Sequence, residues 1–237
     1  MNIDCFLKRY TDVLMNDKHD NVFDTLKIIT GGTTSSRIAK LLNFSVSQMD
    51  DNECYLEVGV FTGSTLCAAG YNNEKLCIGV DKYNEDDLKE MSRVAPSELR
   101  DRCLYNMKCL ASRSILIEKD FRDVKKEEIQ MPVGVSFIDG KHDYEDVTKN
   151  LEWLEPFLAD NAVLVFDDVN YVDVSRAIFD WLMNHRENYD LLSYNKPFFL
   201  NCEYISSLYE RFLNNGVCVI LFHRKPFPII GMIGVNK

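Results

Sequence analysis

No stretch of this 237-residue chain approaches the ~20 consecutive apolar residues of a membrane-spanning helix. Its opening, MNIDCFLKRY, has neither the basic start nor the apolar run of a secretory leader. A cytoplasmic protein with no membrane partner is therefore expected. CxxC pairs are missing too: the eight cysteines are scattered, and Cys54, Cys67, Cys77 and Cys218 sit in apolar, core-like runs. Reduced, buried thiols are expected rather than a disulfide framework. Basic charge is scarce, with 27 Lys and Arg against 37 Asp and Glu and a formal charge of −10. That balance supplies no basic footprint for a nucleic-acid backbone and favours a small-molecule partner. Neither an internal repeat nor a low-complexity linker interrupts the chain, whose 46% hydrophobic content is that of a folded domain with a sizeable core.

What is present is a regular alternation. Apolar runs of strand length recur at 54–58, 75–80, 114–118, 134–138 and 162–166, separated by segments with helical spacing. Such alternation predicts βαβ units and a parallel sheet. A helix is predicted over 144–158, where Val147, Leu151, Leu154 and Leu158 form one apolar stripe, and another over 172–185. Two further apolar stretches, 189–193 and 217–222, predict the last two strands, with an aromatic-rich excursion at 194–215 between them. Ahead of the first strand, helical segments at 3–14 and 36–47 are joined by a Thr-Gly-Gly-Thr-Thr turn at 30–34. The predicted architecture is one doubly wound α/β domain with a seven-stranded, mostly parallel sheet and helices on both faces. Residues 1–50 form its N-terminal helical cap and residues 51–237 the domain proper.

Two of the predicted strands empty into acids. FIDGKHDYE (137–145) and LVFDDVN (164–170) each carry carboxylates at the strand end, where buried parallel strands deliver functional groups. Asp139, His142, Asp167 and Asp168 are thus expected to meet in one crevice. Three like charges repel unless something positive lies among them, and a hard divalent cation such as Mg2+ suits an all-oxygen site. Helix capping accounts for one of the paired aspartates, not both. His142 in its neutral form takes a proton near pH 7. Lys141 is the fallback base, Asn170 a further candidate contact, and His19, His185 and His223 have no comparable context.

The first strand ends differently, in LEVGVFTGST (56–65), where Gly59 and Gly63 let a ligand approach the backbone. The spacing is ExGxxxG rather than the GxGxxG of dinucleotide sites, which disfavours a NAD-dependent dehydrogenase. The next two strands end at Asp81, about twenty residues beyond Gly59, and at Asp120 and Phe121.

This E-x-G-x-x-x-G loop resembles motif I of class I S-adenosylmethionine (SAM)-dependent methyltransferases, which have a Rossmann-like fold. The resemblance implies that Glu57, Gly59, Phe61, Thr62, Gly63 and Ser64 form the SAM loop. It implies that Asp81, with Lys82 beside it, serves the ribose, that Asp120 and Phe121 serve the adenine, and that Asp139 also borders the cofactor. The acid pattern resembles the cation-dependent O-methyltransferases of the catechol and caffeoyl-coenzyme A type and related natural-product sugar O-methyltransferases. That likeness implies Asp139, Asp167 and Asp168 as metal ligands. DGKHDYE is similar to the DGxHxYE run of a broad bacterial group, which implies His142 as the base. TTSSRIAKLLNFSV (33–46) resembles the segment that covers the cofactor in the catechol-like group. The implied reaction is methyl transfer from SAM to a hydroxyl of a small natural product, sugar or phenol, assisted by a divalent cation. Rival readings are a metal-independent N- or O-methyltransferase and a non-catalytic SAM-binding protein. No Asn-Pro-Pro-Tyr-like run supports a base-modifying nucleic-acid enzyme. The substrate is expected to be chosen by 1–50, 83–110 and 194–215, and a homodimer is the family-based expectation for assembly.

Overall fold

The strand segments are apolar on both sides, so they are stable only where helices cover both faces of the sheet they form. The structure, a computed structural model, describes residues 1, 3–15, 21–84, 94–195 and 216–224. In it β1 (Cys54–Val58), β2 (Leu76–Val80), β3 (Ser114–Ile117), β4 (Val133–Ile138), β5 (Leu158–Phe166), β6 (Tyr189–Asn195) and β7 (Val217–His223) form one sheet of order β3-β2-β1-β4-β5-β7-β6. Pairing is parallel from β3 through β5, and β7 runs antiparallel to both β5 and β6. The predicted fold class is observed. Much of the predicted aromatic-rich excursion, at 196–215, lies outside the described residues.

Eight α-helices surround the sheet among the described residues: α1 (Ile3–Met15), α2 (Asn21–Thr30), α3 (Ser36–Ser47), α4 (Ser64–Gly70), α5 (Pro96–Leu110), α6 (Lys126–Ile129), α7 (Tyr144–Leu154) and α8 (Val172–Asn184). The two-residue strand period sorts side chains onto two faces. Tyr55, Val135, Phe137, Val163, Val165, Val219 and Leu221 join one core with Phe6 of α1, Ile38, Leu41 and Leu42 of α3, Leu66 of α4 and Leu99 of α5. Their alternates Leu56, Ile138, Leu164, Phe166, Ile220 and Phe222 join a second core with Val147 and Leu151 of α7 and Ile178 and Trp181 of α8. The N-terminal helices α1 and α3 therefore share a core with the sheet. No helix among the described residues is long and apolar enough to cross a membrane.

Two local expectations are corrected. The helix predicted over 144–158 stops at Leu154, because Pro156 lies in a 3-10 turn (Glu155–Phe157), and Leu158 opens β5 instead. The N-terminal segment holds an extra helix, α2, which buries Phe23 and Leu26 but exposes Ile28 and Ile29, so its burial does not follow its hydrophobic pattern. The seven described cysteines are all free, and Cys54, Cys67, Cys77, Cys103 and Cys218 are buried.

Two polar groups inside this frame matter to it. Asn43 on α3 donates from Nδ2 to the Ala68 carbonyl at 2.8 Å and the Tyr71 carbonyl at 2.7 Å, satisfying acceptors at the C-terminal end of α4. Glu57 on β1 is fully buried beside Tyr55 on the same sheet face, and accepts from the Tyr55 hydroxyl at 2.6 Å and the Thr65 hydroxyl at 2.7 Å. Burial pushes its carboxyl up to about 8, against the lowering effect of both hydrogen bonds.

Replacing Asn43 with alanine removes this donor from both carbonyls, leaving that of Ala68 only the Tyr71 amide at 3.3 Å, and a loss of about 1–3 kcal/mol is expected from denaturant midpoints. For Glu57 the native state holds a proton that the unfolded chain releases near the ordinary value of about 4.3. Stability is thus full below that value and falls as pH rises through the window up to about 8. Thermal melts of Glu57→Gln across this window should show a shallower decline than the wild type.

Candidate active site

One row of backbone hydrogen bonds continues the sheet past its C-terminal edge. Asp81 N donates to the Ile117 carbonyl at 3.2 Å, Gly59 N to Val80 at 3.0 Å, Asp139 N to Val58 at 2.9 Å and Asp167 N to Ile138 at 3.1 Å. Four residues singled out in the sequence therefore stand side by side on one edge. The chain bends sharply there: Gly59 and Gly63 have φ of +87° and +76°, and Phe61, Tyr83 and Asp168 adopt φ of +52°, +44° and +57°. Left-handed conformations are costly for residues with side chains and persist where the surroundings impose them.

On the glycine side, Asp81 governs the loop. Its Oδ2 accepts from the amides of Val60 at 2.8 Å and Phe61 at 3.0 Å, and its Oδ1 from the Tyr83 amide at 2.9 Å. The Tyr83 hydroxyl returns to the Phe61 carbonyl at 2.8 Å. Gly59 is obligatory because a Cβ there would lie 2.0 Å from the Asp139 carbonyl oxygen. Glu57 lies beneath the loop with its oxygens taken by Tyr55 and Thr65, which places it as a support and not at the crevice surface. Thr62 is buried and its hydroxyl has no hydrogen-bond partner among the described residues. The Ser64 and Thr30 hydroxyls are hydrogen-bonded to each other at 2.8 Å.

The third strand end is more heavily engaged than the sequence suggests. Asp120 caps the 3-10 turn Phe121–Asp123, is gripped by the Arg122 guanidinium at 2.6 and 2.5 Å, and lies 3.9 Å from Lys82 Nζ. The Arg122 hydrogen bonds hold its carboxyl down to about 2. The Phe121 ring is turned into the core, edge-on to Trp153 at 5.6 Å between centroids.

On the acidic side, Asp139, His142 and Asp168 come together, each offering a ligand atom within 4.8 Å of the others. His142 Nε2 lies 2.8 Å from Asp168 Oδ2, yet off the alignment of a hydrogen bond, and its ring stacks on Tyr171 with centroids 4.7 Å apart and planes at 12°. Asp167 is not in this group: it is buried, and its Oδ1 accepts the Asp168 amide at 2.9 Å. Burial first, then the Asp168 charge, pushes the Asp167 carboxyl up to about 8. Asp139 is raised as well, by burial and then by Asp167 and Asp168. Neither Asp167 nor Asp168 caps α8 through its side chain, since the N-cap is Tyr171. Nor does His142 cap α7, because Asp143 does so by accepting the Asp146 amide at 2.8 Å. Lys141 is exposed, whereas the Asn170 side-chain oxygen is buried with no hydrogen-bond partner among the described residues.

No individual role is expected from the sequence for Tyr171, or for Tyr83 and Asn106 within the 83–110 segment. Tyr171 follows the acidic strand end by three residues, and nothing in its spacing marks it as the partner of a ring nearly thirty positions earlier. Asn106 reads as one more polar residue of a helix, yet it is 3% exposed.

A methyltransferase-domain family profile matches residues 56–169, the span from the glycine loop through the acidic pair. No curated protein sequence matches the chain. Solved structures do: the cofactor-bound Rv0187 from MTB aligns at 14% identity with a TM-score of 0.61, covering 94% of this chain and 97% of that one. The O-methyltransferase TomG from Streptomyces achromogenes, bound to SAM, aligns at 12% identity and TM-score 0.58, covering 87% and 91%. An O-methyltransferase from Bacillus cereus bound to SAH aligns at 11% identity and TM-score 0.58, covering 91% and 96%. Identities this low speak for the fold, and the family match adds the domain. Residues 56–169 thus match a methyltransferase domain, and the chain around them shares its fold with these structures.

Proposed function

We propose that the chain transfers the methyl group of SAM to a hydroxyl of a small molecule, with a divalent cation held at the acidic strand ends. The observation that carries this reading is the meeting of Asp139, His142 and Asp168 beside the glycine loop. The fit to a cation is chemical: buried carboxylates of like charge, both Asp139 and Asp167 driven toward the protonated form, and an imidazole nitrogen without a hydrogen-bond partner. A positive ion among them removes that penalty. Asp139 and Asp168 are the proposed direct ligands, with Asp167 behind them, where it orients Asp168 through the Asp168 amide.

When bound, SAM supplies an electrophilic methyl group and the cation a positive charge for the acceptor oxygen. The chain does the rest. The 59–64 loop and Asp81 hold the donor, and the Gly59 backbone against Asp139 sets the distance between donor and acid. His142 takes the acceptor's proton at Nε2, and Asp168 Oδ2 at 2.8 Å stabilises the imidazolium that forms. Stacking on Tyr171 restricts the ring to one plane. No covalent enzyme intermediate is required, because positioning and charge compensation suffice for a direct displacement.

Two tests separate the parts of this reading. Titration calorimetry with SAM should show binding to the wild type and a loss of at least about tenfold in Gly59→Ala, where a left-handed alanine and a clash with Asp139 coincide. Titration with Mn2+ or Mg2+ should show one cation per chain, abolished in Asp168→Ala while that variant's SAM affinity stays within a few-fold. Methyl transfer that survives both chelator and Asp168→Ala would point to the metal-independent reading instead.

A further inference from the structure

The glycine loop does not stand alone. The turn at 30–32, which ends α2, packs directly against it: the hydroxyls of Thr30 and Ser64 are hydrogen-bonded at 2.8 Å, and a Cβ on Gly32 would lie 2.2 Å from both Ser64 Cβ and Ser64 Oγ. Behind both segments sits Asn106 of α5, whose Nδ2 donates to the Thr30 carbonyl at 3.2 Å and to the Thr62 carbonyl at 2.9 Å. The amide group thus serves one acceptor in each segment.

Peptide planarity makes this more than a pair of contacts. Fixing a carbonyl fixes the N–H of the next residue in the same plane. Through Thr62, Asn106 sets the plane that carries the Gly63 amide, which donates to Val60 at 2.8 Å and closes the loop on itself. Through Thr30 it sets the plane that carries the Gly31 amide, which donates to Lys27 at 2.9 Å. One buried side chain therefore dictates the backbone direction of two glycine turns that belong to different parts of the chain.

We infer that Asn106, together with the close approach at Gly32, locks the 30–32 turn onto the glycine loop so that the two form one wall of the SAM site, with Asn106 as a positioning residue for donor binding. This rests on the loop being the SAM site, as proposed above. The residue makes no claim on the donor itself; it acts through Thr62 and Thr30.

The test uses the full chain and three variants: Asn106→Ala, Gly32→Ala and, as a control for general destabilisation, Asn43→Ala. Asn43 also donates its amide to backbone carbonyls, but at the far end of α4. In the ligand-free protein, hydrogen exchange of peptides covering 27–34 and 58–66 should accelerate together in Asn106→Ala and in Gly32→Ala, and should stay at the wild-type rate in Asn43→Ala. In calorimetry with SAM, both lock variants should bind roughly tenfold or more weakly, the loss expected from one or two hydrogen bonds, while Asn43→Ala should bind like the wild type. Unchanged exchange and affinity in the lock variants would overturn the inference. So would losses that follow the melting temperature equally across all three variants. A wild-type chain that fails to bind SAM overturns the donor-site reading itself, and is told apart because the exchange experiment needs no ligand.

Discussion

The structure turns on the approach of the Gly59 backbone to the carbonyl of Asp139. A side chain at position 59 would lie 2.0 Å from that oxygen, closer than any non-bonded pair allows. This contact is a consequence of register. β1 and β4 are parallel neighbours, with Val58 opposite Ile138, so the residues that follow each strand must share the same small volume. Only glycine lets them do so, and the fold thereby presses the glycine loop and the first acid of the cluster into a single crevice. Everything proposed about chemistry follows from that proximity, because a methyl donor over the loop is then within reach of whatever oxygen the acids orient.

The two sides of the crevice are stabilised differently. On the glycine side each acid has donors: Asp81 receives three backbone amides, Asp120 a guanidinium, and Glu57 two hydroxyls, although burial outweighs these at Glu57. These bonds shape the loop from within, so the proposed donor site is formed by the chain's own contacts. On the acidic side such compensation is thin. Asp167 receives one amide, and Asp168 faces an imidazole that is not aligned to donate. The acids are placed chiefly by the sheet and by the backbone turns that follow it.

Much of this was legible in the sequence, and the failures have physical causes. All seven strands appear where apolar runs predict them, and for the central β2, β1, β4 and β5 the reason is that parallel strands buried on both faces can carry little else. The first four residues of β5 escaped because Asp160 and Asn161 break its apolar run, and a register irregularity between Val133 and Val135 shifts its pairing with β4. Helix α2 escaped because two of its large apolar residues, Ile28 and Ile29, face outward. At the site, strand ends located Asp81, Asp139, Asp167 and Asp168, since position along a strand is a one-dimensional property. Which side chain points up and which points under is not, and so the sequence ranked Asp167 with Asp168, whereas the fold buries the first and offers the second. Asn106 and Tyr171 were invisible for the same reason, their roles being set by what the fold brings beside them.

The left-handed residues at the sheet edge connect these observations. Phe61, Tyr83 and Asp168 each pay a conformational penalty, and each follows closely on a strand end. A chain leaving a parallel strand in a relaxed conformation would carry its side chain away over the helix layer. At Asp168 the left-handed turn does the opposite: it lets the amide fold back onto Asp167 Oδ1 while Oδ2 comes within 2.8 Å of His142. At Phe61 it aims the amide at Asp81, and at Tyr83 it brings a hydroxyl back to the Phe61 carbonyl. The strain is therefore spent on turning both lips of the crevice inward, which is what a site needs if donor and acceptor are to meet above the sheet edge and not beside it.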